Sequence, residues 1–149
     1  MMKIYRLNSS SIDRIIFFDE LCFPSDHWNV EDWKELINDD KSYYYAVENV
    51  DEIIASIFVY NWAGEKDYLK ITSLSVHPDY RGKGYGNKLL EFIKVQMNLW
   101  DIHKASGETR ASNHQMQKLF EKSGFILSGK VQEYYKDPDE DAYKYVLLL

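Results

Sequence analysis

Hydrophobic residues alternate with polar ones in some segments of the first half of the chain and recur every three or four residues in others, which distinguishes predicted strands from predicted helices. The predicted strands cover residues 3–7, 43–47, 53–60 and 68–76. The predicted helices run from a Ser10 or Ser11 cap to about Cys22, where Pro24 follows, and from an Asn29 cap to Ile37. Polar residues 48–52 and residues 62–66 are predicted turns, and the first turn joins a hairpin.

The second half begins with a glycine-rich turn that leads into a long helix, predicted from about Gly84 to Trp100, with apolar side chains along one face. A strand at 103–109 and a helix at 112–123 follow. Gly124 stands where a left-handed helix C-cap is expected, and a new strand starts at Phe125. Residues 129–135 are predicted to be extended, 137–141 to form an acidic turn and 143–149 to form a last strand.

The order of these elements, β-α-α-β-β-β-α-β-α-β-β, predicts an α/β fold with a mixed central sheet and helices on both faces. No Pro- or Ser-rich linker, repeat or low-complexity tract interrupts the order, so residues 1–149 are expected to form a single domain. In such folds ligands bind at the carboxyl edge of central strands, which makes that edge the first place to look for chemistry.

Composition narrows the class of protein. Hydrophobic residues make up 45% of the chain and aromatic residues 15%, which is typical of a folded domain. No apolar run approaches the roughly 18 residues of a membrane span, and the N-terminal segment lacks the apolar core of a signal peptide. A formal net charge of −6 argues against a nucleic-acid binder and is compatible with a cationic substrate.

The single cysteine, Cys22, gives the chain no internal disulfide, so a reducing, cytoplasmic location is expected. It lies between Leu21 and Phe23, a setting that favours a small buried apolar role over a catalytic one. The four histidines have no metal-ligand spacing, and no metal is expected.

The most informative segment runs from Leu74 to Leu90. A short strand ends there in a His-Pro turn, and Arg81 precedes glycines at alternate positions, Gly82, Gly84 and Gly86. The N–H groups of a helix N-terminus, approached through glycine, bind phosphate. The spacing differs from the G-x-G-x-x-G of dinucleotide sites and from the G-x-x-x-x-G-K-[ST] of nucleoside-triphosphate sites. Two interpretations of the pattern R-x-x-G-x-G remain: a phosphate loop of another kind, or a turn that only caps a helix.

This R-x-x-G-x-G resembles the pyrophosphate loop of the GNAT superfamily of acyl-CoA-dependent N-acetyltransferases. Residues 107–113 resemble its L-E-V-R-x-x-N segment, residues 119–125 its L-Y-x-x-x-G-F helix, and residues 133–142 an N-Y-Y…E-D-A ending. That ending, with residues 22–24 and Trp28, is typical of the protein N-terminal branch, which includes bacterial ribosomal-protein alanine acetyltransferases. The resemblance implies the mostly antiparallel sheet of the GNAT fold.

The resemblance also implies direct transfer of an acetyl group from acetyl-CoA to a primary amine, with CoA as product. Leu74, Ser75 and Val76 would pair with the pantetheine arm as an added strand does, and a backbone N–H near Val76 would polarise the thioester carbonyl. The pyrophosphate is expected on a loop formed by Arg81, Gly82, Lys83, Gly84, Tyr85 and Gly86. Asn113 would reach the pantetheine or a water, cap the next helix, or do both.

Glu108 is the predicted general base, because the resemblance puts it on the strand that faces the acetyl group. The alternative is a solvated carboxylate at a strand end. An α-amino group has an ordinary pKa of about 8 and a lysine one of about 10.4. A glutamate acting through a water therefore suits an N-terminal amine better than a lysine.

The chain departs from the family at Phe120, where a tyrosine commonly protonates the leaving thiolate. Phenylalanine has no proton to give, and Tyr134 is the predicted substitute. Phe120 would instead pack against the cofactor or in the helix core. The residues expected to line the acceptor groove, although core packing explains them as well, are Phe23, Trp28, Tyr134 and Tyr135.

The expected function is acetylation of a protein or peptide N-terminal α-amine, for which a ribosomal protein is one candidate. Acetylation of a polyamine or another small amine stays open, as does a non-catalytic acyl-CoA sensor, which Phe120 keeps in consideration. The sequence leaves the acceptor, the acyl-chain selectivity and the choice between monomer and homodimer undetermined.

Overall fold

A computed structural model describes residues 2–62 and 67–149, and the predicted order of strands and helices is confirmed within them. The strands are β1 (Tyr5–Leu7), β2 (Ser42–Asn49), β3 (Glu52–Asn61), β4 (Leu69–Val76), β5 (Lys104–Arg110), β6 (Ile126–Tyr135) and β7 (Glu140–Leu148). The helices are α1 (Ile12–Cys22), α2 (Val30–Ile37), α3 (Tyr85–Trp100) and α4 (His114–Lys122). The turn predicted at 62–66 falls, from residue 63 on, outside the described residues.

Local capping chemistry explains most of the helix ends. The side chain of Asn29 accepts from the backbone N–H of Asp32 at 2.8 Å and starts α2, as the sequence predicts. Gly124 follows α4 with φ of 93°, the left-handed conformation expected of a C-cap. Ser11 occupies the N-cap position of α1, one of the two predicted, but its side chain makes no capping hydrogen bond. The side chain of Asn8 caps the turn of 3₁₀-helix that precedes α1.

The sheet has seven strands in the order β1-β2-β3-β4-β5-β7-β6, and helices cover both of its faces. Alternate residues of β2 point to opposite sides: Tyr44 packs in a cluster with α1 and α2, whereas Tyr45 packs in a cluster with α3 and α4. Among the described strands, β4 and β5 are the parallel neighbours, and the other pairs are antiparallel. The predicted mixed, mostly antiparallel architecture is therefore confirmed.

The parallel pair separates soon after it forms. Only Leu69–Ile71 of β4 pair with residues of β5, although β4 continues to Val76. Opposite β3, Phe58 pairs with Ser73 and Val59 with Ile71, so Thr72 is an extra residue in β4. This bulge bends the strand and changes which face of the sheet each following side chain points to. Beyond it, a gap opens between the carboxyl ends of β4 and β5.

No helix in the described ranges is long and apolar enough to cross a bilayer. The same ranges hold no group of three or more His, Cys, Asp or Glu side chains suited to a metal ion. His77 lies 3.1 Å from Glu52 and 4.0 Å from Asp79, and His103 lies 3.1 Å from Asp101.

Candidate active site

The end of β4 presents backbone groups to the gap. The N–H of His77 donates to the carbonyl of Ile54 on β3 at 2.8 Å. This bond shows which residues of β4 have backbone groups that face β3, because such residues alternate along an antiparallel strand. Ser75 therefore also points its backbone groups toward β3, and the intervening residues Leu74 and Val76 point theirs away from it. These groups face the space that β5 has left, where an extended ligand could pair with them.

The carbonyl of Val76 already has partners inside the protein. Arg81 donates to it from Nε at 3.0 Å, and Cys22 Sγ lies 3.6 Å from the same oxygen. Burial raises the pKa of the Cys22 thiol to about 11, so the thiol stays protonated and is a poor nucleophile. The buried, non-catalytic role predicted for this cysteine agrees with that environment.

The loop between β4 and α3 leaves open space above its backbone. Gly82 has φ of 77° and Gly84 of 86°, and a Cβ on either would meet no atom within 4 Å. Gly84 caps α3 without a side-chain hydrogen bond, so N–H groups of the first turn remain free for an anion. Gly86 has another role, because a Cβ there would lie 2.8 Å from Leu119 Cδ2. It allows α3 and α4 to pack closely.

The side chains of this loop point elsewhere. Those of Lys83 and Tyr85 line a cavity of about 580 Å³ that also borders the β2–β3 hairpin. The Lys83 ammonium lies 5.3 Å from the centre of the Tyr80 ring. Contacts of Lys83 and Tyr85 with a phosphate in the gap would therefore come from their backbone.

Glu108 lies on the face of β5 that is covered by α1 and α2. Its neighbour Gly107 faces α4, since a Cβ there would lie 2.7 Å from Phe120 Cζ, and successive residues of a strand point to opposite faces. The Glu108 side chain is 18% exposed, and one of its oxygens lies 3.9 Å from Lys70 Nζ. A half-buried carboxylate with one distant cation can still accept a proton from an amine or a water.

Arg110, two residues further along β5, is a site residue that the sequence analysis missed. Its guanidinium donates to both carboxylate oxygens of Asp26, at 2.7 and 2.6 Å. It also donates to Glu140 at 3.2 Å and to the carbonyls of Pro138 at 2.8 Å and Lys136 at 2.7 Å. Every N–H donor of the guanidinium is thereby used.

The two tyrosines of β6 differ in their surroundings. The ring of Tyr135 lies 4.7 Å from the Arg110 guanidinium carbon. Burial, with smaller contributions from Tyr134 and the carboxylate of Glu108, raises the pKa of Tyr135 above its ordinary value. Tyr134 is 49% exposed and meets Tyr135 edge to face at 5.0 Å between ring centres. Of the two, Tyr135 lies closer to the charges of the site.

The loop between α1 and α2 is held by a buried carboxylate. Asp19 accepts from the backbone N–H of Trp28 at 2.9 Å and from Trp33 Nε1 at 2.8 Å. The rings of Trp28 and Trp33 lie 4.6 Å apart. Phe23 and Trp28 are partly buried against the same cluster, so core packing accounts for much of their surface.

Phe120 lies in the core and offers almost no surface to a ligand, being 1% exposed. It packs on Phe125 at 4.9 Å and stacks on Tyr145 at 5.2 Å between ring centres. Of the two roles left open by the sequence, the structure favours core packing over cofactor contact. The capping role of Asn113 is confirmed, since its side chain accepts from the N–H of Met116 at 3.1 Å.

Comparison with known proteins identifies this arrangement. Residues 11–125 match the model of the acetyltransferase (GNAT) family. The chain belongs to this family. It is therefore an acetyl-CoA-dependent N-acetyltransferase. Three features fit acetyl-CoA as the donor: the gap between β4 and β5, the N–H groups at the start of α3, and the glycine loop with open space above its backbone.

The proteins similar to this GNAT enzyme carry names that refer to different amines. A Bacillus subtilis protein with the provisional name [ribosomal protein bS18]-alanine N-acetyltransferase is 26% identical over 93% of this chain and 90% of its own length. The ribosomal-protein-S18-alanine N-acetyltransferase from Escherichia coli superposes with a TM-score of 0.88 at 21% identity, covering 99% of this chain and 94% of its own. A spermidine N-acetyltransferase chimera from Vibrio cholerae and hSSAT has a TM-score of 0.82 at 14% identity, covering 99% and 95%.

Proposed function

We propose that this GNAT enzyme acetylates the N-terminal α-amine of a protein, with a ribosomal protein presented in the cytoplasm as the first candidate. The observation that carries this proposal is the similarity to the Bacillus subtilis protein, which extends over 93% of this chain. The half-buried carboxylate of Glu108 beside the gap supports it, because an α-amine needs only modest help to lose its proton.

The donor side of the proposed site is made mostly of backbone. Acetyl-CoA supplies an activated acetyl group and a thiolate that can leave. The backbone N–H and carbonyl of Leu74, which face away from β3, hold the extended pantetheine arm by strand-like pairing. The N–H of Val76 donates to the acetyl carbonyl oxygen. The first turn of α3 and the loop from Arg81 to Gly86 bind the pyrophosphate.

On the acceptor side, Glu108 takes the proton of the attacking amine, directly or through a water. At pH 7 an α-amine is about one pKa unit from neutrality, a free-energy cost of about 1.4 kcal/mol. Removing the proton from a lysine side chain at pH 7 would cost several times more free energy. Lys70 Nζ lies 3.9 Å from this carboxylate and places a positive charge beside the proposed base.

Proton return to the leaving thiolate needs a donor other than Phe120. The predicted donor is Tyr134, and its exposed position at the end of β6 leaves its hydroxyl free to reach a ligand. Tyr135 is a second candidate, because its ring lies 4.7 Å from the Arg110 guanidinium carbon at the end of β5. Burial raises the pKa of Tyr135, so its phenol holds its proton at neutral pH, the state that a proton donor requires.

Acetylation of a polyamine is the second candidate function. It is favoured by the structural similarity to the spermidine N-acetyltransferase chimera and by the net charge of −6, which attracts polycations. The groove would then accept a slender aliphatic chain in place of a peptide.

An acceptor screen that follows CoA release tests both proposals. The probes are peptides beginning with Ala or Ser, the same peptides with a blocked N-terminus, and spermidine. We expect CoA release with the free peptides and none with the blocked ones. Release with blocked peptides would place the reaction on a side chain, and release with spermidine alone would favour the polyamine function. No release with any amine would contradict both proposals.

A further inference from the structure

Three segments that are distant in sequence meet at the guanidinium of Arg110. Asp26 belongs to the loop between α1 and α2, separated from Arg110 by 84 positions. Lys136 and Pro138 belong to the β6–β7 turn, and Glu140 is the first residue of β7. The guanidinium therefore ties the α1–α2 loop to the β6–β7 turn across the end of β5. Its side chain is 15% exposed, so these contacts are partly shielded from water.

The two segments joined in this way carry the residues expected to line the acceptor groove. Phe23 and Trp28 flank Asp26 in the first loop, and Tyr134 and Tyr135 precede the turn in the second. The planar guanidinium also supports the ring of Tyr135 at 4.7 Å. A bidentate pair with a carboxylate fixes orientation as well as distance, so both walls of the groove are held in one relative position.

Arg110 also sets the charge pattern beside Glu108. Both oxygens of Asp26 are engaged by the guanidinium. One oxygen of Glu140 is engaged by it at 3.2 Å, and the other accepts from the backbone N–H of Ser112 at 2.5 Å. Each of these carboxylate oxygens therefore already accepts a hydrogen bond, and the guanidinium charge offsets their negative charge, whereas among the described residues the ion pair of Glu108 is the 3.9 Å contact with Lys70.

We infer that Arg110 is the positioning residue of the acceptor groove: it holds the α1–α2 loop and the β6–β7 turn together and keeps Asp26 and Glu140 occupied, so that the acceptor amine is directed to Glu108. This inference rests on the proposed function for its effect on catalysis. Its structural part, the coupling of two loops through one side chain, is independent of which amine is acetylated.

The test compares the variants R110Q, R110K and D26N with R14Q as a matched control. Arg14 is also an ion-paired arginine, with Glu48 as its partner, but it lies on α1 and contacts neither loop. Three quantities are measured: KM and kcat for the acceptor, the Kd of acetyl-CoA by calorimetry, and amide hydrogen exchange in segments 23–29 and 134–140.

We expect R110Q to raise the KM for the acceptor at least about tenfold, with the Kd of acetyl-CoA unchanged and with faster exchange in both segments. R110K keeps the charge but loses the planar fork, so it should restore little of the loss. D26N, which leaves Arg110 its other partners, should change the same quantities in the same direction by less. R14Q should behave as the wild type.

Two results would overturn the inference. One is an unchanged acceptor KM in both R110Q and D26N. The other is faster exchange in only one of the two segments, since the loops would then not be coupled. If the wild type releases CoA with no acceptor, the proposed function fails, and the exchange experiment still decides whether Arg110 couples the loops.

Discussion

The ring of Phe120 fills the space above Gly107, with its Cζ 2.7 Å from the point where a Cβ of Gly107 would lie. We expect G107A to destabilise the fold by about 1–3 kcal/mol, because the added methyl group overpacks a buried contact. The matched control is G129A on β6, where a Cβ meets no atom within 4 Å and the effect should be small. Urea unfolding measures both, and equal losses would contradict the contact.

Gly84 and Gly124 both have left-handed backbone, with φ of 86° and 93°, but only Gly84 lies in the proposed phosphate loop. An alanine at either position should cost about 1 kcal/mol in backbone strain. We expect G84A also to weaken acetyl-CoA binding by at least about tenfold, whereas G124A leaves the Kd unchanged. Calorimetric titration of both variants separates strain from ligand contact, and a normal Kd for G84A would remove this loop from the donor site.

Replacing Glu108 by glutamine should lower kcat by roughly 10²–10⁴-fold, the usual contribution of a general base. The affinity for acetyl-CoA should stay normal, since the carboxylate acts on the acceptor. E35Q is the control, because Glu35 is exposed on α2 and remote from the gap. Steady-state CoA release gives kcat, and wild-type turnover in E108Q would remove Glu108 from the mechanism.

Paired variants distinguish the two tyrosines. If Tyr135 delivers the proton, Y135F should lower kcat by about 10²-fold while Y134F changes mainly the acceptor KM. The reverse pattern would assign proton delivery to Tyr134, as the sequence analysis predicts. Equal and small effects on kcat from both variants would mean that neither phenol assists the leaving thiolate. The acetyl-CoA Kd serves as a check that each variant is folded.

Asp19 should give the enzyme a pH-dependent stability. Burial raises its pKa above the ordinary value of 3.8, so the folded state binds this proton more tightly than the unfolded chain does. The contribution of Asp19 to stability is therefore greatest below pH 3.8 and falls as pH rises through the raised folded-state pKa.

The variant D19N tests this dependence, because asparagine does not titrate and its carbonyl can still accept from Trp28 and Trp33. We expect the free energy of unfolding of the wild type, relative to D19N, to decrease as the pH rises above 3.8 and to level off once the pH exceeds the raised folded-state pKa. Urea unfolding across that range provides the measurement. A difference that is constant or increases with pH would contradict the raised pKa.

The order of strands and helices could be predicted because the residues at the ends of the helices act on their near neighbours in sequence. Asn29, Asn113 and Gly124 act at helix ends through bonds to residues nearby in sequence, and such bonds can be identified from spacing alone. The last strand shows the limit of spacing, because β7 begins at Glu140 and not at Tyr143. Glu140, which was predicted to belong to the acidic turn at 137–141, lies in β7 and accepts a hydrogen bond from Arg110.

Features built from distant contacts were not predictable. The bulge at Thr72 depends on how β4 meets β3, and nothing in its own segment marks it. Arg110 matched a family motif, yet its partner Asp26 lies 84 positions away and no spacing rule connects them. The core position of Phe120 was one of two alternatives. What distinguishes them is its packing against three residues, Gly107, Phe125 and Tyr145.

The short pairing of β4 with β5 also bears on how the protein resists heat. Strands β1–β4 and β5–β7 form two antiparallel half-sheets, and within the described residues the ladder that joins them is the short pairing of Leu69–Ile71 with β5. A ligand seated across that seam binds the docked halves and not the separated ones, so its binding free energy adds to the stability of the native state. The thermal tolerance of the enzyme would then increase with the acetyl-CoA supply of the cell.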